Sequence, residues 1–402
     1  MNKLPYITFL IISVSTSIIS CANIDDINQA LQDRIDELTP RVYSTTASRV
    51  YGQAGSFTTS SANNGGISAD SLNTPWSAAV DSSGGLYVAE LSNHRVLYFL
   101  SGTTTASRVY GQGDNFLSGS ANNGGISADS LNSPAGVTTD SSGGLYVSDF
   151  SNNRVLYFTA GITTASRVYG QGGSFLSGTA NNGGTVSAIG FDVPTGSALD
   201  SSGGLYVVEN NNHRVLYFPS GTTTASRVYG QGGNFITKDA NYPAGVVSAD
   251  SLNLPIGVAT DSSGGLYVAD AGNNRVLYYP SGSTTATRVY GQAGSFTTNS
   301  PNMGSATPTA DSLSSPGGIV VASDGGVYVA DTSNHRVLYY TPGSTTSSRV
   351  YGQAGNFTTK DVNYPAGVVS ADSLHNPYGM ALDSIDGLYV ADSDNHRVLY
   401  FY

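Results

Sequence analysis

The chain has 402 residues, only 11% of them charged, with 49 glycines and 26 tyrosines, a makeup that suits many short strands joined by tight turns. A net charge of −11 speaks against nucleic acid and anionic membrane as partners, because twelve of the fourteen arginines recur at fixed repeat positions and only Lys238 and Lys360 lie outside the first residues. Cys21 is the single cysteine, so the domain that follows has no internal disulfide.

The chain opens with Lys3 and an apolar run over 4–19, short for a bilayer span and trailed by small residues, the pattern of an export signal. Two processing schemes fit. One is signal-peptidase cleavage at Ser20-Cys21-Ala22; the other is lipidation of Cys21 within Ile18-Ile19-Ser20-Cys21, which resembles the bacterial lipobox. An uncleaved anchor is the plain alternative. The expectation is a secreted or cell-surface protein, with a lipid or that anchor as its sole link to a membrane. Residues 1–22 are read as the signal and 23–40 as a short amphipathic helix and linker. Ile24, Ile27, Leu31, Ile35 and Leu38 share one stripe, Asp25 and Asp26 suit a first turn, and Thr39-Pro40 stops it. With barely two heptads, packing on the main domain is expected rather than oligomerisation, and the protein is expected to be a monomer.

Residues 41–402 read as one repeat domain. Arginine recurs at 49, 108, 167, 227, 288 and 349 in Arg-Val-Tyr-Gly-Gln, and at 95, 154, 214, 275, 336 and 397 in Arg-Val-Leu-Tyr. In the first full copy the turn signals separate four strands, over 76–81, 86–90, 95–100 and 107–112. These strands are apolar on both faces, which implies sheets covered on both sides. The last copy stops after its third strand, while an orphan fourth strand, 48–53, precedes the first copy. A ring in which 48–53 completes the last blade hides two edges, and an open stack would gain nothing from the offset. The expected fold is therefore all-β, a six-bladed propeller of four-stranded blades.

Pro134-Ala135-Gly136-Val137, Leu145-Tyr146-Val147-Ser148-Asp149 and Asn152-Asn153-Arg154-Val155 resemble the NHL repeat, and the blocks recur in order through all six copies. The resemblance implies the six-bladed propeller of that family, with about twenty extra residues between the fourth strand of one copy and the first of the next. NHL propellers bind proteins or RNA, sense ligands in receptors, or carry a peptide-amidating lyase, so the fold alone does not choose a function.

An acid ends each second strand, five residues before the arginine that opens the third. The pairs are Glu90 with Arg95, Asp149 with Arg154, Glu209 with Arg214, Asp270 with Arg275, Asp331 with Arg336, and Asp392 with Arg397. Sixfold recurrence marks them as structural, since a catalytic site is needed once. His94, His213, His335 and His396 precede four of those arginines, and Asn153 and Asn274 fill the other two positions. Equivalent turns on neighbouring blades stand about 10 Å apart or more, too far for shared zinc ligation, so no metal is expected. The Asp81-Ser-Ser-Gly-Gly turns offer oxygens to a structural calcium but lack the EF-hand spacing, and tight turns explain them better.

What differs between copies is more informative. The long inserts are expected on the same face as the Asn-His-Arg turns, and two carry Lys238 with Tyr242 and Lys360 with Tyr364. Trp76 and Tyr378 follow the repeated proline on the two blades that meet at the closure, and His375 lies just before Pro377. This aromatic pair with a histidine is a candidate ligand site at the channel mouth, with seam packing as the alternative. The sequence thus points to an exported, non-enzymatic propeller without a cofactor, binding a protein or glycan through its insert face. The alternatives are a channel-mouth lyase or hydrolase, for which no Gly-x-Ser-x-Gly elbow or His-x-x-x-His pair is present, and an essentially structural surface protein.

Overall fold

Each copy of the repeat folds as a four-stranded antiparallel sheet, six in all. In the computed structural model the described residues are 44–402, apart from 244 and 366. The expected leader, Cys21 and the 23–40 helix lie outside them. Blade 1 runs from Pro75–Val80 through Leu86–Glu90 and Arg95–Phe99 to Arg108–Tyr110, from the channel outward. Blades 2 to 5 repeat this order. Blade 6 takes three strands from Pro377–Leu382, Leu388–Asp392 and Arg397–Phe401, and its outermost strand from Arg49–Tyr51. That strand pairs antiparallel with the third, Arg49 opposite Tyr400 and Tyr51 opposite Val398, so the ring closes as the offset ends of the array require.

The outermost strands are shorter than expected, three residues each. Gly111, at φ +91°, turns the chain off the edge after Tyr110, and Gln112 then bridges to Ser130 of the next insert. A Cβ on Gly111 would lie 2.8 Å from the Leu131 side chain, so both the turn and the packing demand glycine.

The core is the set of layers between blades. Tyr87, Ala89, Val96 and Tyr98 of blade 1 pack on Val137, Leu145, Val147 and Leu156 of blade 2, and five equivalent clusters fill the other seams. Second and third strands are buried on both faces, which is why they read as continuous apolar runs. At the centre the inner strands approach backbone to backbone. A Cβ on Gly136 would sit 2.7 Å from the Thr195 carbonyl, and one on Gly196 2.8 Å from that of Ile256. The glycine of Pro-x-Gly, present in five of the six inner strands with Ser77 in its place on blade 1, thus lets the strands crowd round one axis.

Candidate functional site

Every arginine at the start of a third strand is fully buried. Arg154 donates from Nε to Asp149 at 2.7 Å, from NH1 to the Phe175 carbonyl at 2.6 Å, and from NH2 to the carbonyls of Ser127 and Ser130 at 2.9 Å each. Asp149 in turn accepts from the Asn132 amide and from Asn152. Asn152 and Asn122 exchange amide hydrogen bonds of 2.7 and 3.0 Å, fastening the insert to the hairpin turn. All six acid–arginine pairs have this geometry, and each guanidinium ties the insert before its hairpin to the insert after it. The inserts and the hairpin turns therefore share one face, and the pairs hold the inserts up.

The histidines hold the ring together. Nδ1 of His94 accepts the Ser133 amide of the next blade at 3.0 Å, that of His213 the Leu254 amide at 2.9 Å, that of His335 the Asn376 amide at 3.1 Å, and that of His396 the Thr74 amide at 3.0 Å. Asn153 and Asn274 do the same through Oδ1, to Val193 at 2.9 Å and Ser315 at 2.8 Å. Each donor has φ between +46° and +58°, a left-handed backbone that non-glycine residues adopt at a cost, and the clasp holds it there. Asparagine replaces histidine at this position because both offer one planar acceptor at a similar reach, and both tolerate the left-handed backbone they themselves adopt. Burial lowers the pKa of all four imidazoles, that of His335 to about 4.

The channel holds about 330 Å³ and is walled by the six inner strands. Its lining is Ala, Val, Ile, Leu, Met, Gly, Ser and Thr with Trp76 and Tyr378, and contains no carboxylate, imidazole, lysine or arginine. The turns at its far end use their carboxylates internally. Asp81 accepts from the Ser83 amide and hydroxyl, the Gly85 amide and the Tyr98 phenol, leaving its oxygens engaged with donors. No group of three or more His, Cys, Asp or Glu side chains able to hold a metal ion occurs among the described residues.

Blade 6 departs from this repetition. Trp76 and Tyr378 stack with ring centroids 3.8 Å apart and planes 19° off parallel. His375 stands 3.5 Å from Asp394, which also accepts from Asn376 at 2.6 Å. The His335 ring meets His375 edge-on at 5.4 Å. Burial and then the Asp394 charge raise the Tyr378 pKa. The sequence reading missed Asn376 and Asp394. Their signal was a comparison down the repeat: Asp394 stands where the other copies have Ser92, Ser151, Asn211, Gly272 and Ser333, and Asn376 where they have Thr74, Ser133, Val193, Leu254 and Ser315. The His375 and Asp394 side chains are 30% and 41% exposed, open enough to meet a ligand.

Lys238 and Lys360 are exposed on their inserts, and Tyr242 and Tyr364 are half-buried, each before a cis proline. The two inserts lead into blades 4 and 6 and are not adjacent, so Lys238 and Tyr242 belong to a different part of the face from Lys360 and Tyr364. The Lys360 insert is the one beside the blade 6 cluster, for the Asp361 charge acts on His335.

Residues 72–99, 131–158, 252–279 and 313–340 match the NHL repeat model, one hairpin each from blades 1, 2, 4 and 5. No curated protein matches the chain. Among solved structures it is similar to a structural-genomics protein of unknown function from Bacteroides thetaiotaomicron (16% identity, 88% of this chain and 75% of that one, TM-score 0.55). It is also similar to an auxiliary nutrient binding protein from Bacteroides ovatus (16% identity, 82% and 69%, TM-score 0.53). A virginiamycin B lyase from Staphylococcus aureus lies further off (12% identity, 81% and 78%, TM-score 0.45). At such identities the likeness concerns the fold alone.

Proposed function

Because the chain is an NHL-repeat six-bladed β-propeller, we propose that it is an exported binding module that seats a glycan or protein ligand on its insert face, at the entrance to blade 6. The observation that carries this reading is the gathering of the off-pattern residues His375, Asn376, Tyr378 and Asp394 at the entrance to blade 6, with Trp76 of blade 1 stacked on Tyr378. Planar polar side chains beside an aromatic pair can fix an uncharged polar ligand by hydrogen bonds and ring contact together. Lys360, exposed, and Tyr364, half-buried, lie on the insert that leads into blade 6, and we count them as part of the proposed surface. The nutrient binding protein of Bacteroides ovatus is a precedent in fold for such a use. Export rests on the leader pattern, and no helix among the described residues is long and apolar enough to cross a membrane.

The His375–Asp394 pair favours one second reading, a channel-mouth lyase or hydrolase in which the imidazole acts as a base. Metal analysis of the purified chain and a glycan array probed with wild type, Tyr378→Ala and His375→Ala separate the two. The binding reading expects glycan capture that either substitution weakens at least about tenfold, a change of about 1.4 kcal/mol. Capture unaffected by both substitutions refutes the site, and a stoichiometric transition metal favours the enzyme.

A further inference from the structure

The four histidine clasps are unevenly placed. His335 joins blade 5 to blade 6, His396 joins blade 6 to blade 1, and His94 joins blade 1 to blade 2. Blades 6 and 1, which carry Tyr378 and Trp76, are thus clasped by histidine on both sides. Asparagine clasps the seams between blades 2 and 3 and between blades 4 and 5, and His213 stands alone between those two. A ring nitrogen that accepts an N–H carries no proton of its own. Once protonated it is a donor aimed at a donor, whereas an asparagine carbonyl accepts at any pH.

We infer that the ring has an acid-sensitive sector: on acidification the three consecutive histidine clasps flanking blades 6 and 1 open while the asparagine clasps hold, loosening the seam where Trp76 stacks on Tyr378. Opening of the isolated His213 clasp leaves both its neighbouring seams fastened.

The surroundings of each imidazole agree in sign. His94 is lowered by burial alone. His213 is lowered by burial, with Asp239 opposing and Lys238 adding to the effect. His335 is lowered by burial and by His375, against Asp394 and Asp361. For His396, burial outweighs Asp394 and Asp392, and His375 adds to it. The folded chain therefore resists taking up these protons. The stability that the clasps supply is complete above the ordinary histidine pKa of 6.5 and is lost as pH falls from there, through about 4 for His335. The clasps need no ligand; only an effect on a captured ligand rests on the binding reading.

Amide hydrogen exchange of the unliganded full chain, at about pH 7.5 and about pH 4.5, tests the sector with internal controls. Protection of the Thr74, Ser133, Leu254 and Asn376 amides should fall at least about tenfold on acidification, after correction for intrinsic exchange, while that of Val193 and Ser315 changes little. Emission of Trp76, the only tryptophan, should shift over the same range. The double variant His335→Asn/His396→Asn, patterned on Asn153 and Asn274, should keep Asn376 and Thr74 protected in acid and hold the Trp76 emission steady. Equal behaviour of all six amides, or loss of Thr74 and Asn376 protection in the double variant, overturns the proposal. So does a Trp76 shift that persists in the double variant and vanishes in His375→Asn, because it assigns the effect to His375. A ring that opens in acid but captures no glycan leaves the clasp inference standing and removes the glycan reading alone.

Discussion

Replacing Arg154 by methionine keeps most of the unbranched stem and removes the guanidinium. Four hydrogen bonds go with it: the 2.7 Å contact to Asp149 and those to the carbonyls of Phe175, Ser127 and Ser130 at 2.6, 2.9 and 2.9 Å. Asp149, with no exposed surface, is left with the Asn132 amide and Asn152 as donors and no counter-charge. Breaking a fully buried pair from one side costs about 3–5 kcal/mol. With about 2.1 cal/mol/K of unfolding entropy per residue over roughly 360 residues, the melting temperature should drop by about 4–7 °C. Scanning calorimetry of Arg154→Met against the wild type measures it. A second comparison sharpens the cause: Arg154→Met/Asp149→Leu removes the stranded charge and should recover part of the loss, although three carbonyls remain unpaired. If the single variant melts within about 1 °C of the wild type, the reasoning that these pairs hold the inserts is refuted.

Gly257→Ala should fold poorly or lose several kcal/mol, because its new methyl group would collide with the Gly317 carbonyl across the seam; soluble yield and urea midpoint report it, and a wild-type midpoint would contradict the crowded axis. Asp140 accepts from the Ser142 amide and hydroxyl and the Gly144 amide, and although burial opposes them, donors of this kind keep its carboxyl below the ordinary 3.8. Its share of stability is therefore present above that value and lost as pH falls below it. Asp140→Asn should flatten the acid limb of a stability profile from urea midpoints, and an unchanged limb would count against the turn.

Strand order and ring closure were legible because a sixfold pattern averages out local ambiguity: Leu-Tyr-Val and Val-Leu-Tyr recur at a spacing that only a short hairpin satisfies. The acid–arginine pairing was legible for the same reason, since Asp149 and Arg154 lie opposite each other across one turn. The other partners of Arg154 were hidden, being backbone carbonyls, which leave no trace in residue type. The clasp formed by His94 was hidden likewise. Its partner is the amide of Ser133 on another blade, and the sequence showed only that histidine and asparagine alternate there. The stack of Trp76 on Tyr378 could be expected from blade adjacency, whereas Asp394 beside His375 required the loop conformation. Lys238 and Lys360 read as one motif on two similar inserts, and the ring sets those inserts before blades 4 and 6, which are not adjacent.

The outer strand Arg49–Tyr51 waits for a partner made about 350 residues later. At about 5–20 residues per second, a ribosome takes roughly 20–70 s to bridge that interval. For a limp chain the closing contact would cost about 4 kcal/mol more than a five-residue hairpin, and the stacking of earlier blades shortens the gap that remains. The order of assembly follows. The seam between blades 6 and 1 is the last to form, and it is the seam where Trp76 meets Tyr378. A chain cut short before Tyr378 can build most of its blades and still lack this surface. The Trp76–Tyr378 surface thus doubles as a proof of completion: only a ring that has reached its sixth blade presents it.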